Sequence, residues 1–126
     1  MGAFVLIFFG ILFDIIGKIH DSGVPVVCCG KPMDHLEANT VEASFEKHIP
    51  DVKVEDGIVK VQVGSVPHPM AEEHFIEWVY LETDKGGARK VLKPGDAPEV
   101  CFALCDETPK AVYAYCNLHG LWKKDL

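Results

Sequence analysis

Short apolar runs with a period of two, broken by turn residues, constrain this chain more than any other feature. Val52-Lys53-Val54 alternates, and Ile58 to Val63 (Ile-Val-Lys-Val-Gln-Val) alternates again after Asp56-Gly57. Successive side chains of a strand point to opposite faces, so this pattern builds a ribbon with one buried and one solvated face. Asp-Gly between two such runs signals a two-residue hairpin turn. Phe75 to Leu81, Ala88 to Leu92, Glu99 to Leu104 and Ala111 to Tyr115 read as further strands, with turns at Lys85-Gly86-Gly87 and Pro94-Gly95-Asp96. Many short strands at regular spacing predict an all-β chain folded as a β-sandwich. A short helix is expected over Val41 to Lys47, where Asn39 or Thr40 can cap it.

With 126 residues, 48% of them hydrophobic, the chain is one ordinary domain plus at most a small appendage. It can bury a real core without disulfides. The formal net charge is −7 and the Lys and Arg residues form no basic run, which argues against nucleic acid as a partner. The same charge repels small anions at long range, so an anion site must carry its own positive charge. Five cysteines, an odd number, do not suggest a secreted disulfide framework. They read as reduced, in a cytoplasmic setting, with some of them ligands. Met1 to Phe13 is entirely apolar apart from glycines, and Asp14 interrupts before Ile15 and Ile16. That run is shorter than the roughly 20 residues of a membrane helix. It also lacks the basic start and small-residue cleavage site of a signal peptide. It is read as buried strand or interface, with membrane association and export as the other readings.

The chemistry lies in where the histidines fall. His48 precedes Ile49-Pro50, His68 stands between Pro67 and Pro69, His74 opens a predicted strand, and His119 closes Cys116-Asn117-Leu118-His119. All four sit at strand ends or in loops, where a sandwich carries its functional groups. Prolines on both sides of His68 fix its backbone, which suits a ligand that gains from being pre-positioned. Cys-x-x-His alone is a weak signal shared by zinc and redox sites. Four loop histidines with a cysteine exceed the four donors of a closed structural zinc site. Imidazole suits zinc, copper, iron and nickel, and a thiolate adds a soft, electron-rich donor. Four histidines in a plane with one axial thiolate would leave an iron ion one open position. Backbone N–H groups at Leu118 and His119 could tune the sulfur. Glu46-Lys47 directly precedes His48. Read plainly this is a solvated charged turn; read functionally, Lys47 draws in an anion and Glu46 guards the open position.

Glu46-Lys47-His48-Ile49-Pro50, Val63-Gly64-Ser65-Val66-Pro67-His68-Pro69-Met70, Glu73-His74-Phe75-Ile76-Glu77-Trp78, Leu92-Lys93-Pro94-Gly95-Asp96-Ala97-Pro98 and Cys116-Asn117-Leu118-His119-Gly120-Leu121-Trp122 together resemble superoxide reductases of the desulfoferrodoxin and neelaredoxin family. The resemblance runs from about Val26 to Trp122. It implies an immunoglobulin-like β-sandwich and one mononuclear iron per chain. His48, His68, His74 and His119 would be its equatorial ligands and Cys116 its axial one. It also implies one-electron reduction of superoxide to hydrogen peroxide. Lys47 would attract superoxide, and Glu46 would ligate the oxidised iron after turnover. A rubredoxin-like protein would be the electron donor, and a homodimer is a common state among relatives.

The start of the chain departs from the longer family pattern. That form carries a small N-terminal domain whose second iron is held by four cysteines, two of them adjacent. Val27-Cys28-Cys29-Gly30 resembles the adjacent pair, but Phe9 and Leu12 stand about where the other two belong. Residues 1–36 are therefore expected to form a degenerate N-terminal segment without iron, and residues 37–126 the iron-binding sandwich. Pooling of cysteines across two chains is the other reading. Cys101 and Cys105 share a strand face by parity and are read as small core residues. His20 and His35 match no motif and are expected to be exposed. Trp78, Trp122 and Tyr115 are read as core or site walls. A blue-copper carrier is a poorer match, because no Met follows His119 and only Met70 could substitute. A structural zinc domain predicts unfolding when the metal is lost, whereas a sandwich core should survive.

Overall fold

The structure is a computed structural model that describes residues 4–9, 12–28 and 30–126. It divides into two compact units, Met1–Glu37 and Ala38–Leu126. In the first unit, β1 (Phe4–Phe9) pairs antiparallel with β2 (Leu12–Gly17), Phe9 opposite Leu12. The short β3 (Val27–Cys28) and β4 (Lys31–Pro32) form a second hairpin, and β5 (Asp34–His35) adds to the free side of β1. The apolar opening expected as buried strand is thus strand where described; Met1 to Ala3, Gly10, Ile11 and Cys29 lie outside the described residues. Among the described residues no helix is long and apolar enough to cross a membrane. His20 and His35 are exposed, as expected.

The second unit opens with the single-turn helix α1 (Phe45–His48), followed by β6 (Pro50–Glu55), β7 (Ile58–Val63), β8 (Ile76–Thr83), β9 (Gly86–Val91), β10 (Glu99–Ala103), β11 (Pro109–Cys116) and β12 (Gly120–Asp125). One sheet has the order β10-β7-β6 and the other β12-β11-β8-β9. Their inner faces meet through Val59, Val61, Val63 and Phe102 on one side and Ile76, Val79, Leu81, Val112, Ala114 and Cys116 on the other. This is the layered β-sandwich that the alternating pattern predicts. Each buried Val or Leu contributes about 1.5–3 kcal/mol relative to exposure, so the core rests on alternate residues of four strands. Asp56 and Gly57 take φ of 50° and 75°, the left-handed pair that a tight hairpin turn needs, and Glu55 faces Ile58 across it.

Several local expectations change. The helix covers four residues rather than Val41 to Lys47; its cap is Ser44, which makes no side-chain capping bond, and the extended Ile49 ends it just before Pro50. The β8–β9 turn is Asp84-Lys85, with Gly86 already paired to Thr83. Cys101 and Cys105 are both exposed, not core, because Phe102 takes the inward position of β10 and Cys105 lies beyond its end. β12 was not read from the sequence; its Lys123-Lys124-Asp125 end is held by pairing with Ala111 to Tyr113 of β11.

Candidate metal centre

Four segments carry the candidate donors to one end of the sandwich, and each is tied down locally. α1 presents His48 against the Trp122 indole, with ring centroids 4.7 Å apart. The loop after β7 carries His68, and its Val66 N–H and Ser65 hydroxyl donate to the Glu46 carbonyl at 3.0 and 3.2 Å. Gly64 makes this approach possible. A Cβ there would stand 2.6 Å from the Glu46 oxygen and 2.7 Å from the Ile49 oxygen. His74 is fixed by a two-way backbone pairing with Ala71. The turn after β11 supplies Cys116 and His119. Its Asn117 side chain accepts from Phe75 N–H at 2.9 Å and donates to the Glu73 carbonyl at 3.1 Å, binding this turn to the segment around His74. Sequence reasoning gave no role to Gly64 or Asn117; the only signal was their place inside the ligand-bearing motifs.

A β-bulge aims the cysteine. Tyr115 stands opposite Trp78 but Cys116 stands opposite Ile76, so Glu77 is an extra residue in β8. The result is a fully buried Cys116, while Tyr115 stacks on Trp78 at 5.6 Å with the planes 10° apart. Both aromatic rings are buried, as is Trp122.

The four imidazoles form a closed ring. Neighbouring centroids are 4.6 Å (His48–His68), 4.6 Å (His68–His74), 5.0 Å (His74–His119) and 4.9 Å (His119–His48), each pair within 14° of perpendicular, and His48 and His74 face one another across 6.3 Å. His48 Nδ1 donates to the Ser44 carbonyl at 2.7 Å, and His68 Nδ1 to the Pro69 carbonyl at 2.7 Å. In a neutral imidazole only one nitrogen carries hydrogen, so both Nε2 atoms are lone-pair acceptors. Yet these two Nε2 atoms lie 3.1 Å apart, and His48 Nε2 lies 3.1 Å from His119 Nδ1. His74 Nε2 is buried with no hydrogen-bond partner. Inward lone pairs at this spacing repel unless a cation stands among them. Metal–imidazole bonds of about 2.1 Å put adjacent donors of a square about 3.0 Å apart. The donor atoms of His48, His68, His74 and Cys116 all lie within 4.8 Å of one another, and Cys116 Sγ is 3.9 Å from His119 Nδ1. The five candidate donors are thus gathered in one place, and four imidazole nitrogens with one softer sulfur fit an iron ion.

Electrostatics favours the ligating forms. Burial lowers the basicity of His48, His68 and His74, in His68 to a pKa of about 4, so all three are neutral donors near pH 7. The Lys47 ammonium adds to this at His48 and His74. Burial raises the Cys116 thiol, while backbone N–H bonds from Leu118 and His119 oppose it by stabilising the thiolate. Those are the two N–H groups anticipated from the sequence. Lys47 and Glu46 are both exposed. The Glu46 backbone carbonyl anchors the His68 loop, and its carboxylate is not among the clustered donors. Met70 sulfur accepts from the Ile76 N–H at 3.5 Å.

The family sequence model described as desulfoferrodoxin matches residues 40–125. The chain is 50% identical over 113 residues to a desulfoferrodoxin of Syntrophotalea carbinolica, covering 89% of this chain and 88% of that one. It is 45% identical over 113 residues to the desulfoferrodoxin of Nitratidesulfovibrio vulgaris, with 89% and 88% covered. Among solved structures, the superoxide reductase from Treponema pallidum superposes with a TM-score of 0.81 at 41% identity over 99% of both chains. Sequence, fold and donor cluster agree: the chain belongs to the desulfoferrodoxin family.

Proposed function

We propose that this chain is a superoxide reductase, reducing superoxide by one electron to hydrogen peroxide at a single iron held by His48, His68, His74, His119 and Cys116. The observation that carries this reading is the pair of committed acceptor nitrogens on His48 and His68, 3.1 Å apart in a ring of imidazoles beside a buried cysteine. Five gathered donors exceed a closed structural zinc site. When bound, iron would supply the single electron, and two protons complete the product.

The remaining tasks fall to side chains. The Ser44 and Pro69 carbonyls fix the tautomers of His48 and His68 and so their inward lone pairs. The Leu118 and His119 N–H groups moderate the charge of the thiolate. Lys47, exposed and close enough for its charge to bear on His48 and His74, attracts an anion that the net charge of −7 would otherwise repel. Glu46, exposed next to it, is the residue that would close the open position after turnover. A rubredoxin-like protein is the proposed donor and a homodimer the proposed assembly. Residues 1–36 are proposed to hold no iron of their own.

The test is peroxide yield. The iron-loaded protein with a chemical reductant should give one peroxide per superoxide consumed, and Lys47→Ala should slow capture and flatten its salt dependence. A yield of one peroxide for every two superoxides would mark a dismutase and overturn the reading.

A further inference from the structure

The outer face of the β10-β7-β6 sheet carries a cleft of about 250 Å³, and none of its lining residues belongs to the histidine–cysteine cluster. Its charged groups lie in two rows set by strand register. Cys101 stands opposite Lys60, which stands opposite Lys53; one step along, Glu99 stands opposite Gln62, which stands opposite Asp51. All line the cleft. Direct cross-strand neighbours have Cβ atoms about 5 Å apart, so the Cys101 thiol and Lys60 share one patch. Phe102 fills the inward position next to Cys101, which leaves Cys101 exposed. Lys90 does not line the cleft: its ammonium donates to the Cys101 carbonyl and lies 5.3 Å from the Phe102 ring centroid. Among the described residues no ion pair engages Lys53 or Lys60.

We propose that this cleft is an S-thiolation site, at which Cys101 exchanges with the disulfide of a small thiol bearing carboxylates and an ammonium group. Lys53 and Lys60 would take carboxylates, and Asp51 and Glu99 an ammonium. The Cys101 sulfur, as thiolate, attacks one sulfur of the disulfide. Its proton passes to water, the small molecule's S–S bond breaks and a Cys101 S–S bond forms. The other half leaves as a thiolate that takes up a proton, so the incoming disulfide is the only oxidant. On a chain of net charge −7, a lysine row beside the thiol raises the local concentration of an anionic reagent where the rest of the surface repels it.

Cys105 supplies an internal comparison. It is also exposed, but it is followed by Asp106-Glu107 and does not line the cleft. The full chain is treated in separate reactions with oxidised glutathione and with the neutral bis(2-hydroxyethyl) disulfide, and each cysteine is followed by peptide mass mapping. The expected ratio of Cys101 to Cys105 modification is about tenfold higher with oxidised glutathione than with the neutral reagent, and it falls as salt is added. Lys53→Gln with Lys60→Gln should remove the excess at Cys101 and leave the Cys105 rate unchanged. Equal ratios for the two reagents overturn the proposal, as does an excess that survives the two lysine substitutions.

Discussion

The two units treat the same kind of donor differently. In Ala38–Leu126, donors come from α1, two loops and the end of a strand, and hydrogen bonds from Ser65, Val66 and Asn117 hold those segments to one another. In Met1–Glu37 the chain offers only Cys28 and Cys29 as thiols, and Phe9 and Leu12 stand opposite one another in the backbone register of β1 and β2. A hairpin needs only alternation and a turn and survives the loss of ligands. A metal centre needs every donor present and braced. On the proposal that residues 1–36 hold no iron, a scaffold can persist without the chemistry it resembles, because backbone pairing and coordination rest on different residues.

The largest test of this contrast removes a donor from the braced unit. His68→Ala should take iron content after reconstitution from one per chain to nearly none, measured by metal analysis; residual iron near the original level would place the metal elsewhere. Next comes acid. His68 has its pKa lowered by burial to about 4 in the folded chain, against 6.5 when exposed. Between those values the unfolded chain binds a proton that the folded chain does not, so stability falls as pH drops from 6.5 to 4. For the metal-free protein this amounts to about 3 kcal/mol from His68, with His48 and His74 acting in the same direction. Denaturant midpoints across that range should fall steadily, and a flat profile would mean the imidazoles are not buried as described. Gly64→Ala forces a Cβ against two backbone oxygens of the α1 segment and should cost about 2 kcal/mol, read as a lower Tm together with weaker iron retention. The smallest effect is expected at Cys28→Ser, which should leave the iron content per chain unchanged. Loss of a second iron signal there would show that two chains pool their cysteines.

Much of this arrangement is legible in the sequence where local rules dominate. The Asp56-Gly57 turn and the alternation of β6 and β7 follow from φ preferences and strand parity alone. The candidate ligand residues stand out in the sequence because histidines flanked by proline or placed at strand ends have no packing pattern to explain them. What escapes is what depends on partners distant in sequence. Parity puts Cys101 and Cys105 on one face, but whether that face is core depends on which sheet covers it, and Phe102 took the inward place. β12 carries lysines that look like a tail until β11 pairs with them. Asn117 is one more polar turn residue until its amide is seen to span to Glu73 and Phe75. The helix shortens at its start, where residues 41–43 bend and Ser44 makes no side-chain cap bond, while Pro50 fixes only where it ends.

The Asn117 amide and the Gly64 contact with α1 have a kinetic consequence. They divide the ligand shell into two braced halves, one around His48 and His68 and the other around His74, Cys116 and His119. Neither half has to search for its geometry when an ion arrives. A cage already shaped before it is filled also changes little when its contents change charge by one electron. With iron held there as proposed, little nuclear rearrangement would be needed for each electron passed, and the braced donors would themselves lower the barrier to turnover.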